Sequence, residues 1–295
     1  MNKLSIDKRS MIVRLLVEGN SLRSCSRIAD VSFNTVLKLV VDVGIACQQF
    51  HNDKVVSLNS TRIECDEIWN FVYSKNKNVS TCKNQEKAVG DAWTWTAIDA
   101  DSKLIISWLV GHRDAETANE FMYNVASRLK NRVQMSTDGL SAYIKAVERA
   151  FDEDIDFAQL HKTYGSPEGN TNERKYSPPT CTGITKRVIT GRPNPELIST
   201  SYVERQNLTM RMHMRRFTRL TNAFSKKLDN HCYSLALYFV YYNFCKVHTT
   251  LRVTPAMEAK LTTRPMTIED IVRMVYADEI AKEEKIKARY NNKCC

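Results

Sequence analysis

The chain has no Cys-x-x-Cys pair, although it carries nine cysteines. They stand at Cys25, Cys47, Cys65, Cys82, Cys181, Cys232, Cys245, Cys294 and Cys295, an odd number without regular spacing. A zinc ribbon and a disulfide framework are both disfavoured, and a reducing compartment is expected. No apolar run approaches the ~20 residues of a membrane span. The polar N-terminus has no signal-peptide core, so the expected location is cytoplasmic, with no membrane partner. Proline is scarce outside one stretch: five of the seven (Pro167, Pro178, Pro179, Pro193 and Pro195) fall within 152–197. They exclude a long helix there and predict an irregular insertion. Acidic residues are missing from Arg205 to Lys227, where seven basic ones stand. A solvated face mixes signs, so a one-sign run points to phosphate contacts.

What is present is an ordinary globular composition, 43% hydrophobic and 26% charged over 295 residues, enough for one large domain and a small one. The net charge of +10 favours a polyanionic partner. Residues 1–50 show helical apolar spacing broken at Gly19-Asn20, with Ser21 and Ser32 placed to cap a second and a third helix. The third helix would present Asn34, Thr35 and Lys38 outward, which fits a helix-turn-helix DNA-binding unit; a helical bundle for dimer contacts is the plainer alternative. From 61 to 110 the chain is rich in β-branched and aromatic residues, with a hairpin turn at Asp99-Ala-Asp-Ser102. A helix over 114–130, a strand over 133–137 and a helix to about Phe151 follow.

Three acidic positions stand out. Asp66 ends an alternating strand; by strand period Glu64 shares its face and Glu67 points away. Asp138-Gly139 follows a short strand, where an Asp also serves as an ordinary turn or cap residue. Asp99 is its rival, but a hairpin turn already accounts for it. Glu204 opens a helix on which Asn207 and Arg211 share its face, beside a stripe of Val203, Met210, Met214 and Phe217. Arg215, Arg216 and Arg219 belong to the basic run and are expected on phosphates. His248 falls in a loop and needs no function.

The segments Cys65-Asp-Glu-Ile-Trp69, Gly90-Asp-Ala-Trp-Thr-Trp-Thr-Ala-Ile-Asp99, Ser136-Thr-Asp-Gly139, Ser201-Tyr-Val-Glu-Arg-Gln-Asn207 and Thr254-Pro-Ala256 occur in that order. Together they closely resemble bacterial insertion-sequence transposases of the DDE type, from the start of the chain to about residue 275. The resemblance implies an α/β fold: an RNase H-like mixed sheet flanked by helices, with a helix-turn-helix domain at 1–50. The catalytic domain would span 60–255, with the irregular insertion at about 152–197, and a C-terminal helical tail would span 256–295. It further implies Asp66, Asp138 and Glu204 as ligands of two Mg²⁺ ions, which Mn²⁺ could replace. Arg211 fills the place of a basic residue seven positions after the catalytic glutamate. Expected partners are double-stranded DNA, as element ends and target, and further copies of the chain in a homo-oligomer on DNA, nucleoid-associated when bound. The rival enzyme class is a tyrosine recombinase, suggested by His213-Met-Arg-Arg216 with Tyr241 or Tyr242. A catalytically silent, DNA-binding relic of a transposase is the other alternative.

Overall fold

The computed structural model describes residues 4–85, 89–165, 180–218 and 221–277. Its first elements are α1 (Ile6–Val17), α2 (Leu22–Ile28), α3 (Phe33–Lys54), β1 (Arg62–Val72), β2 (Gly90–Asp99) and β3 (Ile105–Gly111). Then come α4 (Ala115–Ala126), β4 (Val133–Asp138), α5 (Ala142–Phe151), β5 (Ile155–Tyr164) and β6 (Cys181–Thr190). The last are α6 (Ser201–His213), α7 (Leu228–Val240) and α8 (Pro255–Glu258). The chain divides into two compact units: Val56–Trp69 with Ala92–Leu208, and Met1–Val55 with Asn70–Asp91 and Thr209–Cys295. No helix among the described residues is long and apolar enough to cross a membrane.

In the unit that holds both termini, the expected serine caps are in place. Ser21 Oγ accepts from the Ser24 N–H and Ser32 Oγ from the Thr35 N–H, both at 3.1 Å. Each satisfies one of the orphan donors of its helix. Asn34 and Lys38 are exposed and Thr35 is half-buried, on the first turns of α3. The opposite face of α3 buries Val36, Leu39, Val40 and Val43. This helix packs along α7, and at Gly44 the approach is so close that a Cβ would lie 2.3 Å from the Tyr233 Cβ. Residues 268–277 are helical; the rest of the expected helical tail, 278–295, lies outside the described residues.

The other unit is built on a six-stranded mixed sheet in the order β3-β2-β1-β4-β5-β6. β4 runs parallel to both β1 and β5, while β3 is antiparallel to β2 and β6 to β5. Trp95, Phe121 and Tyr143 are fully buried, with the Trp95 ring 5.8 Å from Phe121 and 5.3 Å from Tyr143. Mixed α/β architecture with helices flanking the sheet is what the resemblance implies. One expectation is corrected. The stretch 152–197 is not an irregular insertion throughout, because β5 and β6 lie in it and extend the sheet. The prolines misled: Pro193 and Pro195 fall after β6 ends. The other three lie outside the described residues.

The parallel register of β1 and β4 has a direct consequence. Arg62 pairs with Gln134 and Cys65 with Thr137, so the next step along both strands sets Asp66 beside Asp138. There β4 ends, while β1 continues to Val72.

Candidate active site

Asp66, Glu67 and Asp138 form an acidic cluster in which one ligand atom from each lies within 4.8 Å of the others. Asp66 and Asp138 were expected together; Glu67 was not. The alternation argument turned Glu67 away from Asp66. The contacts follow that alternation, since Glu64 and Asp66 both meet α6 while Glu67 meets Arg113 and the Tyr143 hydroxyl. Beyond Asp138 there is no β4 neighbour to confine the Glu67 side chain, and its carboxylate reaches the cluster. The adjacency Asp66-Glu67 was the only signal in the sequence.

Each carboxylate is held by named partners. Asp138 Oδ1 accepts from the Leu140 N–H at 3.0 Å, making the turn that leads to α5. Gln159 Nε2 donates to the Asp138 and Leu140 carbonyl oxygens, both at 3.0 Å, and fixes that turn. A Cβ at Gly139 would lie 2.4 Å from His161 Nδ1, so any side chain there would have to displace the His161 ring. Arg113, from the loop after β3, donates through Nε to Glu67 Oε2 at 3.0 Å and through Nη2 to Asp138 Oδ2 at 3.2 Å. Asn207 Nδ2 donates to Asp66 Oδ2 at 2.9 Å, so this buried amide faces the cluster. Asp99, the rival, is committed to its turn: its Oδ1 accepts from the Asp101 and Ser102 N–H groups, both at 2.8 Å.

Glu64 shows why α6 sits where it does. Its buried Oε2 accepts from the Tyr202 N–H at 2.7 Å and the Val203 N–H at 3.0 Å. A carboxylate from β1 thus caps the positive end of the helix that carries Glu204 and Asn207. Glu204 itself stands outside the three-residue cluster. Its Oε1 accepts from Thr200 Oγ1 at 2.6 Å and is ion-paired to Lys162 of β5. The sequence placed Glu64 on the face of Asp66 without giving it a role, and Arg113 and Lys162 were missed; Lys162 lies in the stretch read as irregular.

The expected residues from Arg211 onward belong to the other unit. α6 ends at His213, and Arg215–Phe217 form a separate 3-10 turn, so the basic run is not one helix. Arg211 Nη1 donates to the Phe217 carbonyl at 3.3 Å. Arg216 Nη1 donates to Ser225 Oγ and the Asn230 carbonyl, both at 2.9 Å, and burial pushes its pKa down to about 10. Arg215 is exposed; Arg219 lies outside the described residues. Tyr242 is buried, and the Tyr241 hydroxyl donates to Glu18 Oε1 at 3.1 Å.

Residues 88–179 match a family model of insertion-sequence transposases of the IS240 group, described as a DDE domain. The chain carries an insertion-sequence DDE transposase domain. The matched stretch contains Asp138 and Arg113 but neither Asp66 nor Glu204. No curated protein matches the chain.

The electrostatics of the cluster suit a divalent cation. Burial first, then the charges of Glu67 and Asp138, push the Asp66 pKa from 3.8 up to about 8. Burial and the charge of Asp138 push Glu67 from 4.5 up to about 7. The Tyr143 hydroxyl and Arg113 are the neighbours of the buried Glu67 carboxyl. Crowded carboxylates of this kind fit a hard cation that takes oxygen ligands.

These shifts have a sign. Folded Asp66 and Glu67 hold protons more tightly than the unfolded chain does. Their contribution to stability is therefore full below the ordinary carboxylate range and is lost as pH rises through about 7 to 8. Without metal, the thermal midpoint should fall over that rise, millimolar Mg²⁺ should remove most of the fall, and Asp66→Asn should flatten it. A slope unchanged in Asp66→Asn would show that Asp66 does not titrate this way.

Proposed function

We propose that this chain is a transposase that binds the ends of a mobile DNA element and catalyses divalent-metal-dependent strand cleavage and strand transfer. The observation that carries the reading is the convergence of Asp66, Glu67 and Asp138 where β4 ends beside β1, within a chain that carries a DDE transposase domain. Asp66 and Asp138 would hold the metal ions, Mg²⁺ or Mn²⁺, with Glu204 joining them from α6. When bound, such ions activate a hydroxyl nucleophile and stabilise the departing oxygen of the phosphodiester. The protein's part is to keep the ligands in place. Asn207 orients Asp66, Lys162 and Thr200 hold Glu204, and the Glu64 cap seats α6 on the sheet. The carboxylates are ligands rather than nucleophiles, so no covalent protein–DNA intermediate forms.

A tyrosine nucleophile is disfavoured. Tyr242 is buried, Tyr241 is engaged with Glu18, and a six-stranded mixed sheet is foreign to that largely helical class. Asp66→Asn, Asp138→Asn and Glu204→Gln should each lower single-turnover cleavage in Mg²⁺ by at least about a hundredfold, with end binding retained. Tyr241→Phe should cleave normally. Cleavage near wild type in Asp66→Asn, or a protein–DNA adduct surviving denaturation, would contradict the assignment.

For DNA recognition, α2 and α3 act as a helix-turn-helix, with Asn34, Thr35 and Lys38 toward the bases. Support comes from the exposed placement of Asn34 and Lys38 opposite the buried face of α3. Arg215 makes phosphate contacts, as do Arg211 and Arg219. Arg216 is reassigned to holding the chain near Ser225, because its guanidinium is spent on Ser225 and Asn230. The active form is a homo-oligomer on DNA that brings element ends and target together. Asn34→Ala should reduce discrimination between element ends and random duplex, because base contacts specify. Arg215→Ala should weaken binding equally on both and lower the slope of log K against log salt by about 0.9. Unchanged discrimination in Asn34→Ala would place sequence reading elsewhere on the chain.

A further inference from the structure

Arg113 bridges two members of the carboxylate cluster. It donates to Glu67 Oε2 at 3.0 Å and to Asp138 Oδ2 at 3.2 Å, and its guanidinium lies 5.1 Å from the Trp93 ring centroid. The Glu67 side chain is only 1% exposed, whereas that of Arg113 is 37% exposed. Glu67 is therefore the anchored member and Arg113 the reachable one. Asp138 has one oxygen committed to the Leu140 N–H and the other to Arg113. A cation that takes Asp138 Oδ2 must share it with Arg113 or displace it. Glu67 Oε2 would still tether the guanidinium at the rim.

We propose that Arg113 is the resident counter-ion of the cluster: a positioning residue that holds Glu67 and Asp138 together in the metal-free protein and yields Asp138 to the entering cation. This rests on the metal-binding reading above. A planar fork is suited to the task, since it spans two carboxylates that a lysine, a point charge, cannot span in the same way. The arrangement sets cation affinity by competition. A fixed positive charge beside the site opposes a second one, and its removal strengthens binding while leaving the empty cluster repulsive.

The test is calorimetric titration of the full chain with Ca²⁺ alone, which reads binding without turnover. Arg113→Gln should bind Ca²⁺ roughly tenfold more tightly than wild type. Its cation-free thermal midpoint should be lower than that of wild type, with Ca²⁺ closing the gap. Arg113→Lys keeps the charge and should bind within about threefold of wild type. Should Arg113→Gln not fold without metal, the same gain must appear between Glu67→Gln and Glu67→Gln/Arg113→Gln, where one charge of each sign is gone. Equal or weaker Ca²⁺ binding on loss of Arg113, while wild type binds, would overturn the counter-ion role. No binding by any of these proteins would instead overturn the metal site itself.

Discussion

Like charges crowd at the point where β4 ends beside β1, and much of the sheet-bearing unit can be understood as what makes that crowding tolerable. Three carboxylates within 4.8 Å of one another would drive the strand ends apart if nothing opposed them. Parallel pairing of β1 with β4 fixes Asp66 against Asp138 through the backbone, and the buried ring cluster of Trp95, Phe121 and Tyr143 holds the surrounding layer. Arg113 supplies one positive charge and the Asn207 amide one donor. Burial first, and then the part of the repulsion that remains, raise the pKa values of Asp66 and Glu67.

The same strand carries a second device. Two residues before Asp66, Glu64 accepts the first free N–H groups of α6. One short segment of β1 therefore places both a proposed metal ligand and, through the helix dipole, the helix that brings Glu204. Lys162 then pairs with Glu204 from β5, a strand that the proline-rich composition had concealed. The geometry thus ties the third acidic residue to the first by backbone hydrogen bonds rather than by chance proximity of side chains.

Some of this was legible in the sequence, for physical reasons that differ by residue. Ser21 and Ser32 were readable as caps because capping is local and depends on residue type. Asp66 and Asp138 were readable because each follows a β-rich run in a recognisable segment, although their adjacency depends on strand order, which periodicity does not encode. Alternation turned Glu67 away from the face of Glu64 and Asp66 correctly, but strand period does not encode that its carboxylate reaches Asp138 where β4 ends. The strands β5 and β6 were hidden because the prolines of 152–197 were read as belonging to the whole stretch. The basic run was expected on phosphates throughout, but Arg216 turns inward to Ser225 and Asn230; charge sign alone carries no information about direction.

The central claim is that the cluster where β4 ends beside β1 is a divalent-cation site. Crystals soaked in Mn²⁺ and measured at its absorption edge test it most directly. The account predicts an anomalous peak bonded to oxygens of Asp66 and Asp138, absent in Asp66→Asn. Anomalous density elsewhere on the chain, with none at these two carboxylates, would contradict it.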